Sequence, residues 1–264
     1  MIGYIYWNVR PEIIQFGPFV VRWYGLLFAI LFAIGFVIVR WMFRLENKDE
    51  RQLDSLLVYV VIGTIVGARL GHCLLYEPGY YLRHPLEILK VWEGGLASHG
   101  GALGVVVAVY WFCRRRPELP FLWLLDRIVV PTALGGSLIR LGNLFNSEIL
   151  GEPTHVPWAF VFERVDMVPR HPAQLYESVS YLLVFVVLMA MYRRLKAQTP
   201  RGLLLGVFLI LVFTFRFLIE FVKERQASYE ANLPLSVGQL LSLPFIAAGV
   251  LLVWRASRPG AARA

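Results

Sequence analysis

Seven stretches of this chain are so poor in charge that water is the wrong solvent for them. No Asp, Glu, Lys or Arg occurs in Trp23–Val39, Gly94–Cys113, Ser178–Tyr192, Gly202–Phe215 or Leu233–Trp254. Two more runs, Ser55–Ala68 and Ile128–Ile139, reach spanning length only by taking one arginine into the membrane. A membrane helix needs about 20 largely apolar residues, and within lipid only helices and closed barrels satisfy every backbone polar group. The pattern predicts an all-α polytopic membrane protein, a single domain over 1–264. Its seven helices are expected near 19–41, 53–76, 95–113, 121–146, 173–192, 202–221 and 235–254. A soluble domain would carry far more than 17% charged residues.

The net charge of +8 is topological, which removes the case for a nucleic-acid partner. Arg40, Arg44, Lys48 and Arg51 follow the first segment, and Arg114, Arg115 and Arg116 the third. Arg193, Arg194, Lys196 and Arg201 follow the fifth, and Arg255, Arg258 and Arg263 close the chain. In a seven-helix arrangement all of these face one side. By the positive-inside bias that side is the cytoplasm, with the N-terminus outside. The first apolar run has its basic cluster after it, so a cleavable signal peptide is not expected. Cys73 and Cys113 fall at opposite ends of their segments and are expected to stay unbridged.

Three connections fall on the expected outer face. Residues 1–22 carry Tyr4, Tyr6, Trp7, Phe16 and Phe19 and read as an interfacial arm, as does 77–93 with Tyr80, Tyr81 and Trp92. The longest, 147–172, holds four prolines and reads as a small head or lid.

The stretch Arg140-Leu-Gly-Asn143-Leu-Phe-Asn146-Ser-Glu148-Ile-Leu-Gly151 follows the apolar run Ile128–Ile139 directly. A charge at the centre of a membrane helix costs roughly 2.5–3.5 kcal/mol on insertion scales, so it usually has a task. On a helix Arg140, Asn143 and Ser147 share a face, with Asn146 beside it. An arginine flanked by amides is a fork of donors for a phosphate or carboxylate. At 1.5 Å per residue, Arg69, Arg140 and Arg216 lie about 24, 28 and 20 Å along their helices. Glu220 lies one turn beyond Arg216, while Tyr24 and His99 sit near the starts of helices entering from outside. Polar groups from five helices thus converge in the outer half of the bilayer. The bland alternative for each arginine is snorkelling or pairing, as Arg216 with Glu220 at i, i+4. The glycines around His99, in Gly94-Gly-Leu-Ala-Ser-His-Gly-Gly101, permit close approach either of helices or of a ligand headgroup. Asp126 and Arg127, near the inner end of the fourth segment, read as an interfacial pair. His-Glu-x-x-His, Gly-x-Ser-x-Gly and Walker patterns do not occur, so no metal or cofactor is expected.

These residues carry a resemblance. The chain resembles the bacterial prolipoprotein diacylglyceryl transferase family along nearly its whole length. The family signature Gly-Arg-x-Gly-Asn-Phe-x-Asn-x-Glu-x-x-Gly is met by Arg140, Gly142, Asn143, Asn146, Glu148 and Gly151, with Ile139 and Leu144 as departures. Further matches are Arg22-Trp-Tyr24-Gly25, the segment Gly94–Gly100 with His99, His171-Pro-Ala-Gln-Leu-Tyr-Glu177, and Arg216-Phe-Leu-Ile-Glu220-Phe. The resemblance implies a multi-pass enzyme of the bacterial cytoplasmic membrane. It would move the diacylglyceryl group of phosphatidylglycerol to the lipobox cysteine of a prolipoprotein, forming a thioether and releasing glycerol phosphate. His99, Arg140, Arg216 and Tyr24 are then the expected catalytic residues, with His99 as the base. Asn143, Asn146, Glu148, Gly151 and Glu220, with the two arginines, are expected to bind phosphatidylglycerol. Glu148 and Glu220 would steer the arginine forks.

Two rivals stand beside it. A transporter or channel for an anionic solute would line its path with the same arginines, but needs polar groups through the full depth. A scaffold without chemistry would not concentrate polar residues at one level.

Overall fold

The computed structural model describes residues 3–17, 19–224 and 235–258; Arg263 lies outside them. Helices dominate. They are α1 (Trp23–Leu45), α2 (Gln52–Leu75), the single turn α3 (Pro78–Tyr81), α4 (Ser98–Arg114), α5 (Phe121–Asn146), α6 (Ala173–Leu195), α7 (Leu203–Ile219) and α8 (Val237–Ala256). Six of them, all but α3 and α4, are long and apolar enough to cross a membrane, so the chain is an all-α polytopic membrane protein. The helix α4, on the third predicted segment, has 17 residues and spans about 25 Å.

Short strands also form. β1 (Ile5–Trp7) runs parallel to β4 (Phe160–Phe162), which pairs antiparallel with β5 (Pro169–Arg170). β2 (Glu12–Phe16) and β3 (Phe19–Arg22) form a hairpin. The first helix therefore starts at Trp23, not at 19, because Val20 and Val21 suit a strand and pair with Ile14 and Gln15. The N-terminal arm is accordingly sewn to the 147–172 head. Trp7 packs with Leu144, Leu150, Phe160 and Phe162, and its indole N–H donates to the Leu144 carbonyl at 3.1 Å.

Contacts divide the chain into two compact units, Met1–Met42 with Asp126–Ala264, and Phe43–Leu125. The smaller unit is built on α2 and α4, whose backbones touch. A Cβ on Gly67 would lie 2.7 Å from Gly104 Cα, and one on Gly63 at 2.7 Å from Ala108 Cβ. Small residues at this spacing let helices associate by close van der Waals contact where the solvent gives no hydrophobic drive. For Gly100 and Gly104 the answer is helix approach, not a headgroup. Arg69 is 3% exposed and spent locally. It donates to the carbonyls of Ile88 (3.0 Å), Gly94 (2.6 Å) and Glu87 (2.6 Å), pinning the 77–95 connection. It is a structural arginine.

In the larger unit the core gathers Met42, Val129, Val130, Ala133, Val184, Leu188, Tyr192 and Leu204. Asp126 and Arg127 are fully buried, not interfacial. Asp126 accepts from the backbone N–H groups of Gly202 (2.6 Å) and Leu205 (2.8 Å), capping α7, and Arg127 lies over the Tyr192 ring. An unmade buried hydrogen bond costs about 1–3 kcal/mol, and a lost N-cap about 1. Asp126→Ala is therefore expected to lower stability by about 2–4 kcal/mol, and Asp126→Asn by clearly less. Thermal unfolding of the detergent-solubilised proteins checks this; equal midpoints for wild type and Asp126→Ala would contradict it.

Candidate active site

Helix α5 ends at Asn146, and the backbone then turns sharply. Ser147 and Ile149 both take left-handed conformations, φ 56° and 58°. For a β-branched residue such a conformation costs on the order of 1–3 kcal/mol and persists only where its surroundings enforce it. Here the Glu148 N–H donates to the Asn143 carbonyl at 3.0 Å. The buried Gln174 amide donates to the Glu148 carbonyl at 2.5 Å. This turn folds Glu148 back over the helix end. Its carboxylate accepts from Asn143 Nδ2 and from Asn146 Nδ2, each at 3.1 Å. Glu148 thus orients the two amides, not an arginine fork. Ser147 lies past the helix end and leaves the shared face on which it was expected.

Arg140 lies one turn before Asn143 and donates from Nη1 to Asn143 Oδ1 at 3.3 Å. Its Nε meets Glu177 Oε2 at 2.9 Å; the Glu177 side chain is 1% exposed. Tyr181, one turn along α6 from Glu177, lies beside Arg140 and within its electrostatic reach. A guanidinium has five N–H donors, so these bonds leave donors for a further acceptor. Below them Ser137 and Ser178 bridge α5 to α6 at 2.9 Å. Tyr24 lies flat on α5, where a Cβ on Gly142 would come within 2.7 Å of its ring, and it is in electrostatic reach of Arg140 and Glu148.

Arg216 lies on α7, half-buried and close enough to Tyr181 to act on it electrostatically. The expected ion pair with Glu220 does not form. Glu220 instead lies 3.5 Å from Lys223 Nζ and packs against the first turn of α8, where a Cβ on Gly238 would come within 2.6 Å of its carboxylate. Helix N-termini favour such a charge. Among the described residues Arg216 has no ion-pair partner.

Lys223, absent from the sequence-level candidates, joins Glu220 to Glu177, with Nζ 3.6 Å from Glu177 Oε1. Its backbone is held by the head. Glu152 N–H donates to the Val222 carbonyl (2.9 Å) and Glu224 N–H to that of Leu150 (3.1 Å). Gly151 makes an isolated antiparallel bridge to Lys223, and a Cβ there would collide with the His171 backbone and the Val222 carbonyl. The close packing accounts for Gly151; its N–H is spent on the His171 carbonyl at 3.1 Å. On the head surface Arg170 donates to Asp166 and holds that carboxyl below its usual range.

Arg140, Asn143, Asn146, Glu148, Tyr24, Arg216 and Glu220 thus all belong to the larger unit. His99 belongs to the smaller one, in the first turn of α4. Its ring lies 5.8 Å from that of Tyr76, at one end of an apolar groove of about 730 Å³ that follows α2 and α4. The signal for Glu177 was in the sequence, as the last residue of the His171–Glu177 match. Lys223 gave none, because one lysine after a helix looks like a solvated end. Orphaned polar atoms cluster here: Asn146 Oδ1, Ser147 Oγ and Gln174 Oε1 are buried without a partner. Buried polar atoms without a hydrogen-bond partner mark where a polar ligand or water belongs. Among the described residues no group of His, Cys, Asp and Glu gathers as a metal site requires.

The arrangement offers guanidinium, amide, hydroxyl and ammonium donors at one level, suited to an anionic oxygen-rich group. Comparison with known proteins agrees. The family model for prolipoprotein diacylglyceryl transferase matches residues 11–255. A protein of Chloroherpeton thalassium, named phosphatidylglycerol–prolipoprotein diacylglyceryl transferase, is 54% identical over 253 residues, covering 96% of this chain and 94% of its own. Proteins of the same name from Tolumonas auensis and Bacteroides fragilis are 54% and 42% identical, covering 94% and 95% of this chain and 96% and 94% of their own. With motifs, buried charges and full-length similarity in agreement, this chain belongs to the prolipoprotein diacylglyceryl transferase family.

Proposed function

We propose that this chain transfers the diacylglyceryl group of phosphatidylglycerol to the lipobox cysteine of a prolipoprotein, on the outer side of the bacterial cytoplasmic membrane. One observation carries the assignment of roles. Arg216 is a half-buried cation without an ion-pair partner among the described residues, while the neighbouring Arg140 is oriented by Glu177. A guanidinium whose donors are not engaged by a carboxylate is suited to bind a phosphodiester.

The reaction forms a carbon–sulfur bond and breaks the bond from the glycerol carbon to the phosphate oxygen. Negative charge builds on the departing glycerol phosphate. Arg140 and Arg216 hold that phosphate and stabilise its growing charge, an interaction strongest where water is excluded. Asn143 and Asn146, fixed by Glu148, orient the headgroup, and Tyr24 donates to it. A cysteine thiol with pKa about 8.5 is mostly protonated near neutrality, so the nucleophile must lose a proton. His99 takes it as the general base. In support, an apolar segment resting in the α2–α4 groove would end at His99. Against a transport path, Asp126 and Arg127 are spent on the α7 cap and the Tyr192 ring.

Removing one preorganised donor to a developing oxyanion typically costs 10²–10³ in rate. Arg140→Ala and Arg216→Ala are expected to lose at least about a hundredfold in transfer at wild-type membrane levels. Retained activity in either would sink the phosphate clamp. His99→Gln is expected to lower turnover by roughly 10²–10⁴ at neutral pH, with the loss shrinking as pH rises towards the thiol pKa. A loss that is the same at every pH would remove His99 from the role of base.

A further inference from the structure

We infer that Lys223 is a positioning residue of the transfer site. It offsets Glu177 and Glu220, so that Arg140 and Arg216 keep their positive charge available for an anionic headgroup. The inference rests on the transferase reading above.

The charges carry it. Arg140, Arg216 and Lys223 stand against Glu148, Glu177 and Glu220, three cations to three carboxylates. With Lys223 removed the group becomes net negative, and an incoming phosphodiester monoanion is repelled where it must bind. The burial makes this consequential. Lys223 and Glu177 side chains are 7% and 1% exposed, so water cannot take over the compensation. Glu177 divides its oxygens, Oε2 to Arg140 at 2.9 Å and Oε1 towards Lys223 at 3.6 Å. Without Lys223, both oxygens are free to turn on Arg140, which would engage the fork as a bidentate pair and withdraw donors from the phosphate. The position is also set from outside the site. Lys223 sits between Val222 and Glu224, whose backbones are held by Glu152 and Leu150 of the head, so the head's docking fixes where this ammonium stands.

The test compares Lys223→Met, Lys223→Arg, Glu177→Gln and the double variant Lys223→Met/Glu177→Gln in steady-state transfer from phosphatidylglycerol vesicles. Lys223→Met is expected to lose tenfold or more in kcat/KM, the larger part in KM for phosphatidylglycerol. Lys223→Arg is expected to stay within about threefold of wild type. The decisive variant is the double one. Glutamine at 177 keeps an acceptor for Arg140 and removes the excess negative charge, so it is expected to restore most of the activity lost in Lys223→Met. A merely structural lysine predicts further loss in the double variant. Wild-type activity in Lys223→Met, or no rescue by Glu177→Gln with both variants present at wild-type levels, overturns the inference. Retention of phosphatidylglycerol over phosphatidylcholine by the purified proteins, read by native mass spectrometry, is expected to follow the same order. If the wild type transfers nothing, the transferase reading fails, and this binding series still decides the role of Lys223.

Discussion

The ion pair between Arg140 and Glu177 is the interaction on which the rest of the site depends. Truncating one partner of a buried pair leaves an uncompensated charge and costs about 3–5 kcal/mol, whereas an isosteric amide at 177 keeps an acceptor for Arg140. The pair ties α5 to α6 at one level, with the Ser137–Ser178 bridge beneath it and Tyr181 beside it. Everything polar above that level is built outward from Arg140. Asn143 takes one of its donors, Glu148 takes the amides of Asn143 and Asn146, and the strained turn at Ser147–Ile149 exists to bring Glu148 back.

The apolar scaffold provides what this network needs, a dry and rigid setting. Helices satisfy their own backbones, and small residues let them close. Gly206 and Gly249 do for α7 and α8 what Gly67 and Gly104 do for α2 and α4: a Cβ on either would come within 3.0 Å of the facing helix. Charge that is not needed for chemistry is used up in place, Arg69 on loop carbonyls and Asp126 on the α7 cap. Among the described residues Arg216 has no ion-pair partner, and it lies within electrostatic reach of Tyr181 in this network. In the proposed function its donors are the ones open to an anionic headgroup.

Much of this was legible in the chain itself. Uncharged runs gave the helices to within a few residues, because lipid permits little else. The Arg140–Gly151 motif pointed to the candidate site, where the structure brings Arg140, Asn143, Asn146 and Glu148 together. Three things were not legible, each for a physical reason. The arm at 12–22 pairs as a hairpin, a backbone pairing that aromatic content alone does not reveal. Glu220 at i+4 from Arg216 looked like its partner, yet tertiary placement gave it to Lys223 and to the first turn of α8. Lys223 became a site residue only once the segment after α7 was folded beside Glu177 on α6. Depth along a helix can be counted from sequence; which side chain meets which across helices cannot.

Transfer to the cysteine thiol is the decisive chemistry. The direct measurement is mass spectrometry of a lipobox-cysteine peptide incubated with the purified protein in phosphatidylglycerol vesicles. The account predicts a gain of one diacylglyceryl group on the cysteine, abolished when the thiol is first alkylated. An unmodified peptide, with the protein folded and the peptide long enough to span, would contradict it.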